Sequence, residues 1–169
     1  MNRYRRYAAT AAITMLIGIT AALASPASPA SADPTYTRIG DYGNNTFAHA
    51  TNLNNRVTMR PPSFTSHQLW NYTRFSTGYY RFTSQLTDGC LTVDQTSSAF
   101  NPPVIQRACR GTAYERWQLV RTSTTHYMFH NVGLQGRCIG VDRSFDPPRL
   151  RAYPCDRYAR NQQFTVRVA

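Results

Sequence analysis

Lysine is absent from all 169 residues, so every one of the 19 basic side chains is an arginine, and glutamate occurs once, at Glu115. The missing lysine reads as the codon bias of a GC-rich genome, not as a device for one partner. A lone glutamate leaves a paired-carboxylate hydrolase with only seven aspartates to draw on. Of these, Asp142 and Asp146 flank the turn sequence Asp146-Pro147-Pro148, where shaping the turn is role enough. No serine sits in a nucleophile-elbow frame. No two cysteines lie close enough for a zinc knuckle. His126 and His130 fall in a strand-like stretch, where a spacing of four separates side chains by about 13 Å. After residue 32 no apolar stripe of helical period runs beyond two turns. These gaps exclude a helical domain and leave no catalytic constellation, so the chain is expected to be neither an enzyme nor a holder of a metal or cofactor.

What is present begins with a leader. Arg3, Arg5 and Arg6 precede a charge-free run from Ala8 to Leu23, and Ala30-Ser31-Ala32 offers a small-residue cleavage pattern. Residues 1–32 therefore read as a signal peptide that is removed, with retention as a membrane anchor the competing reading. The run is rich in Ala and Thr and is followed at once by Pro26 and Pro29, which suits a permanent span poorly. Arg5-Arg6 hints at twin-arginine export, but the rest of that signal is missing. The expected mature protein, residues 33–169, is secreted and extracellular, has no membrane span, and is of a size for one domain. It keeps all eight acids and sixteen of the arginines, a net charge near +8. Such a surface attracts acidic glycans, nucleic acid or cell-wall phosphates, and equally it keeps a secreted domain in solution. All four cysteines lie in this part, which fits an oxidising compartment.

Internal periodicity decides the organisation. Trp70, Trp117 and Phe164 recur at a constant 47 residues, in the frames Gln68-Leu69-Trp70, Glu115-Arg116-Trp117 and Gln162-Gln163-Phe164. Upstream, Val57-Thr58-Met59-Arg60 matches Val104-Ile105-Gln106-Arg107, and Leu150-Arg151-Ala152-Tyr153 is the third copy. Gly89-Cys90-Leu91-Thr92-Val93-Asp94 recurs as Arg137-Cys138-Ile139-Gly140-Val141-Asp142, and Cys109 recurs as Cys155. The first copy is degenerate: Thr46 stands where the others have their first cysteine and Pro62 where they have their second. Short alternating segments rich in Val, Thr, Tyr and Phe, punctuated by Asn, Pro, Gly and Asp, read as strands and turns. Units of this length bury their apolar faces only by packing on each other, with Trp70, Trp117 and Phe164 as equivalent core residues beside Leu91 and Ile139.

Three copies of Gln-x-Trp type, with Cys-Leu-x-Val opening the repeats, resemble the ricin B-chain family of β-trefoil carbohydrate-binding modules. The resemblance covers essentially all of residues 33–169. It implies an all-β trefoil of repeats at approximately 33–77, 78–124 and 125–169. It also implies cysteines paired within repeats, Cys90–Cys109 and Cys138–Cys155, each bond worth roughly 3 kcal/mol in the chain-entropy account. The leader and the Arg-for-Lys bias point to an actinobacterial source, which makes the sequons at Asn44 and Asn71 irrelevant.

The resemblance further implies a shallow sugar pocket per repeat. Its parts are an Asp two residues after the first cysteine, an aromatic two before the second, and an Asn-Gln pair before the final Trp. The carboxylate accepts sugar hydroxyls, the ring packs on the sugar's C–H face, and the amides fix orientation. The second repeat has Thr92, Arg107 and Tyr114-Glu115 at these positions, and the first has Ala48, Arg60 and His67-Gln68, so both pockets read as lost. The third keeps Tyr153 and Asn161-Gln162, but Gly140 stands at the Asp position. Asp142, two residues on, shares a strand face with Gly140 and either points into the vacated pocket or ends the strand as a turn residue, as does Asp94 in the second repeat. Gln68 and Gln162 have their own second reading, as supports for a loop. The candidate carbohydrate-binding residues are thus Asp142, Tyr153, Asn161 and Gln162, in a monomer binding a galactose- or xylose-type glycan. The rival is a trefoil that has lost sugar recognition and binds a protein or an acidic polymer.

Overall fold

The computed structural model describes residues 36–75 and 78–168; the expected leader at 1–32 lies outside the described residues. Twelve short strands follow one another: β1 (Tyr36–Asp41), β2 (Phe47–His49), β3 (Thr58–Arg60), β4 (Trp70–Arg74), β5 (Tyr79–Ser84), β6 (Cys90–Val93), β7 (Val104–Arg107), β8 (Trp117–Arg121), β9 (Tyr127–Asn131), β10 (Arg137–Asp142), β11 (Arg149–Pro154) and β12 (Phe164–Val168). The only described helices are single 3-10 turns at Ser66–Gln68, Ala113–Glu115 and Arg160–Gln162. No described helix is long and apolar enough to cross a membrane.

Six strands close on themselves. β1 pairs with β12, β12 with β9, β9 with β8, β8 with β5, β5 with β4, and β4 with β1, every pair antiparallel. Closure removes the free strand edges that an open sheet of this kind would carry. The other six form three hairpins, β2–β3, β6–β7 and β10–β11. The hairpins meet in a cycle: Arg56 bridges to Ile105, Pro103 to Arg151, and Arg149 to Thr58. Backbone bonds seal each junction, among them Val57 N–H to the Val104 carbonyl, Ala152 N–H to Pro102, and Met59 N–H to Pro148.

The core is where the periodicity predicts it. Trp70, Trp117 and Phe164 are fully buried, as are Leu91 and Ile139. The indole N–H of Trp70 donates to the Ala48 carbonyl at 3.1 Å and that of Trp117 to Leu91 at 2.9 Å. The rings of Phe82 and Phe129 lie 5.2 Å apart and those of Phe129 and Phe164 5.7 Å. β11 alternates as a half-buried strand must: Leu150 and Ala152 face inward while Arg149, Arg151 and Tyr153 face out. The disulfides Cys90–Cys109 and Cys138–Cys155 are both formed, with Cα atoms 5.1 and 5.0 Å apart.

One expectation is corrected. Cross-strand pairing sets Phe47 opposite Arg60, just as Cys90 lies opposite Arg107 and Cys138 opposite Tyr153. The residue equivalent to the first cysteine is therefore Phe47, not Thr46, and the Asp position of the first repeat is His49, not Ala48. Inward alternation fixes this register, because Ala48 and Ala50 fill the core places of Leu91 and Val93.

Candidate functional site

The four candidate residues of the third hairpin converge. β10 and β11 pair in register, with Cys138 opposite Tyr153, Gly140 opposite Arg151, and Asp142 opposite Arg149. Since Ile139 and Val141 point into the core, Gly140 and Asp142 share the outer face with Arg151 and Tyr153. The ring of Tyr153 closes directly on Gly140: a Cβ there would lie 2.7 Å from the ring's Cδ2 and 3.3 Å from Gln162 Cγ. The space of the expected aspartate is thus taken by the tyrosine itself, and any side chain at 140 displaces it.

Asp142 closes the turn that ends its strand and also faces across the hairpin. Oδ1 accepts from the Ser144 N–H at 3.1 Å and from the Ser144 hydroxyl at 2.6 Å, a turn closed by its own side chain. Oδ2 lies 3.5 Å from Arg151 Nη1, and the Tyr153 hydroxyl is the carboxylate's further polar neighbour. Burial alone would raise its pKa, yet the bonds from Ser144, with the Tyr153 hydroxyl and the Arg151 charge, hold it below the ordinary carboxylate value. Tyr153 is pushed up in turn, by burial first and then by the Asp142 charge. The pair therefore stays a carboxylate and a phenol at neutral pH.

The amides divide. Asn161 Nδ2 donates to the Val141 carbonyl at 3.3 Å and remains half-exposed beside the tyrosine. Gln162 is buried, and its side chain is spent on the chain after the hairpin: Oε1 accepts from Asp156 N–H at 3.0 Å and Nε2 donates to the Pro154 carbonyl at 2.9 Å. Gln68 does the same with Ser63 N–H and the Pro61 carbonyl. Glu115, at the same position, accepts from the N–H groups of Arg110 and Gly111 and from the Thr112 hydroxyl. Loop support accounts for all three residues. Gln162 thus lies beside the Tyr153 site as its floor, with its polar atoms already bonded.

The other two hairpins present different chemistry. In the second, Arg107 at the aromatic position donates to Asp94 Oδ1 at 3.2 Å, and Asp94 closes an Asx turn on Thr96. In the first, His49 and His67 stack with ring centroids 4.9 Å apart and planes inclined by 12°. The buried Nδ1 of His49 has no hydrogen-bond partner. Burial, then the neighbouring His67 and Arg60, lowers the pKa of His49. Sequence reasoning missed this pair through the one-residue register error; the inward alternation of Ala48 and Ala50 is the signal that finds it. His130, Cys138 and Cys155 bring nitrogen and sulfur atoms within ligand distance of each other, but both sulfurs are joined in a disulfide and offer no thiolate.

A closed six-stranded barrel carrying three hairpins that meet in a cycle defines a β-trefoil. The profile of the ricin-type β-trefoil lectin domain matches residues 42–164, and the chain belongs to that family. No curated protein sequence matches it. Among solved structures it is similar to ThreeFoil, a designed threefold-symmetric protein, at 18% identity and a TM-score of 0.72, covering 79% of this chain and 99% of that one. It is also similar to an exo-β-1,3-galactanase from Clostridium thermocellum, at 15% identity and a TM-score of 0.73, covering 82% of this chain and 31% of the galactanase. A GlcNAcα1-4Gal-releasing endo-β-galactosidase from Clostridium perfringens follows at 12% identity and a TM-score of 0.67, over 80% of this chain and 32% of the enzyme. At these identities the likeness is one of fold.

Proposed function

We propose that the chain is a secreted, non-catalytic carbohydrate-binding domain of three repeats, released from its leader at residue 32, that engages extracellular or cell-wall glycans through the third hairpin. The observation that carries this reading is the juxtaposition of Tyr153 and Asp142 on the outer face of the hairpin, with the Asn161 amide bonded to the Val141 carbonyl of the same strand as Asp142. It supplies a ring for a sugar's C–H face, a carboxylate held ionised for hydroxyls, and an amide for orientation. Membership of a lectin family supports it, and the galactan- and galactoside-cleaving proteins that share the fold make galactose-containing glycans the first ligands to try. The test is a glycan array with residues 33–169, beside Tyr153→Ala. Binding by the wild type that falls by about tenfold or more in the variant is the expected result, since a stacked ring supplies on the order of 1 kcal/mol beyond its buried area. Binding untouched by Tyr153→Ala would exclude this face.

One observation favours a second reading. The closure of Tyr153 on Gly140 fills the place where the family's aspartate would meet the sugar. A trefoil so altered would serve instead as a binding surface for a protein or an acidic polymer. Absence of any wild-type glycan binding at millimolar sugar decides for it.

A further inference from the structure

The junction of the first and third hairpins carries arginines that the fold does not use. Arg149 pairs with Thr58, and Arg56, two residues before Thr58 in the extended segment leading into β3, bridges to Ile105. Residues two apart share a strand face, so Arg56 and Arg149 are diagonal neighbours on one face, roughly 7 Å apart by backbone. They line an open cleft of about 460 Å³ together with Thr51, Asn54, Asn55 and Thr58. No acid lines it. Among the described residues neither arginine has a carboxylate within ion-pair distance: the three ion pairs use Arg107, Arg143 and Arg151. Asp142, the cross-strand partner of Arg149, is turned to Arg151 and Tyr153 instead. The Arg149 guanidinium lies 4.2 Å from the centroid of the Phe145 ring, which covers one of its faces and leaves its N–H edge directed in the plane.

Two like charges held on one face without an ion-pair partner repel each other, and an anion between them relieves that cost. The remaining lining groups are amides and hydroxyls, donors suited to the oxygens of such an anion. The geometry points to this cleft as a binding site for a tetrahedral oxyanion, a sulfate or phosphate ester borne on a polysaccharide or other extracellular polymer. It is separate from the Tyr153 face in residues, in ligand class and in physics, since it acts through charge and bidentate guanidinium bonds while the other acts through ring stacking.

Dextran and dextran sulfate differ only in the ester and are the probes, with inorganic polyphosphate as the arm that separates phosphate from sulfate. Titrated in low salt, the wild type binds dextran sulfate or polyphosphate and not dextran, and Arg56→Ala/Arg149→Ala weakens that binding by about tenfold or more. The control is Arg74→Ala/Arg110→Ala, which removes the same charge from two exposed positions elsewhere and leaves binding within about twofold. Arg56→Lys/Arg149→Lys keeps the charge, loses the bidentate fork, and falls between the two. Equal losses in both alanine pairs would mean diffuse attraction and overturn the site, as would a wild type that binds neither polyanion. Should the alanine pair unfold, the lysine pair decides alone, and overturns the site if it binds as the wild type does. Galactoside binding by the folded alanine pair, or by the lysine pair, is unchanged, so failure here leaves the Tyr153 reading standing.

Discussion

At the scale of the residue, the contact between Gly140 and Tyr153 governs what the third hairpin presents. Glycine is tolerated there not for a special backbone angle but because the ring needs the volume of a Cβ. Gly140→Ala sets a methyl 2.7 Å from Cδ2 and 3.3 Å from Gln162 Cγ, contacts that only movement relieves. The tyrosine is half-exposed and swings outward more easily than the backbone shifts, so the expected cost is about 1 kcal/mol, at the low end for overpacking. Urea unfolding measures this, and tyrosine fluorescence reports the displaced ring. A variant as stable as the wild type with unchanged tyrosine emission would mean that the ring does not rest on residue 140. The same displacement uncouples the hydroxyl from Asp142, so Gly140→Ala also weakens any ligand that needs both groups.

At the scale of the element, the hairpins show what the sequence disclosed and what it concealed. The buried tryptophans and the strand character were legible because a repeat at constant spacing states the same constraint several times over, and the disulfide pairing followed from the resemblance to the ricin B-chain family. The register of the first hairpin was not. It lacks the cysteines that anchor the count, and Thr46 and Phe47 are adjacent in a stretch where the places of Leu91 and Val93 are taken by two alanines, weak signals beside them. Nor was the closing of Tyr153 on Gly140 readable, because it depends on where a ring comes to rest. Asp142 was legible only as two options; one oxygen closes the turn, as a turn residue's does, while the other faces Arg151 across the hairpin. The bond Cys138–Cys155 ties this hairpin shut at its open end, and Cys138 lies opposite Tyr153. Replacing both cysteines by serine is expected to cost about 3 kcal/mol, read from the shift of the urea midpoint. It also loosens the strand that carries the ring, so glycan affinity falls further than global stability alone requires. Full retention of affinity in the folded variant would show that the hairpin holds its shape without the bond.

At the scale of the whole molecule, the barrel and the cycle of hairpins make folding cooperative, so a titration at one buried group is felt as global stability. His49 and His130 carry that linkage. Burial lowers the pKa of each, and for His49 the adjacent His67 and Arg60 add to it. In the unfolded chain both imidazoles take up a proton near their ordinary value of about 6.5, while the folded protein resists doing so. Between the folded and unfolded values the unfolded state therefore binds more protons, and stability falls as pH drops through that window. Asp41 has the opposite sign, because burial raises its pKa despite the Arg143 ion pair, and it is the same in both proteins to be compared. The melting temperature is thus expected to be lower at about pH 5.5 than at about pH 7.5. His49→Gln/His130→Gln removes both imidazoles, and whatever it does to absolute stability, it flattens that difference. The comparison to make is the slope of melting temperature against pH in the two proteins. An equally steep slope in the double variant would place the acid sensitivity outside these histidines. A flattened one would place it in these two imidazoles, and His49→Gln alone then measures the share of the stacked pair, at the position where the other hairpins carry Thr92 and Gly140.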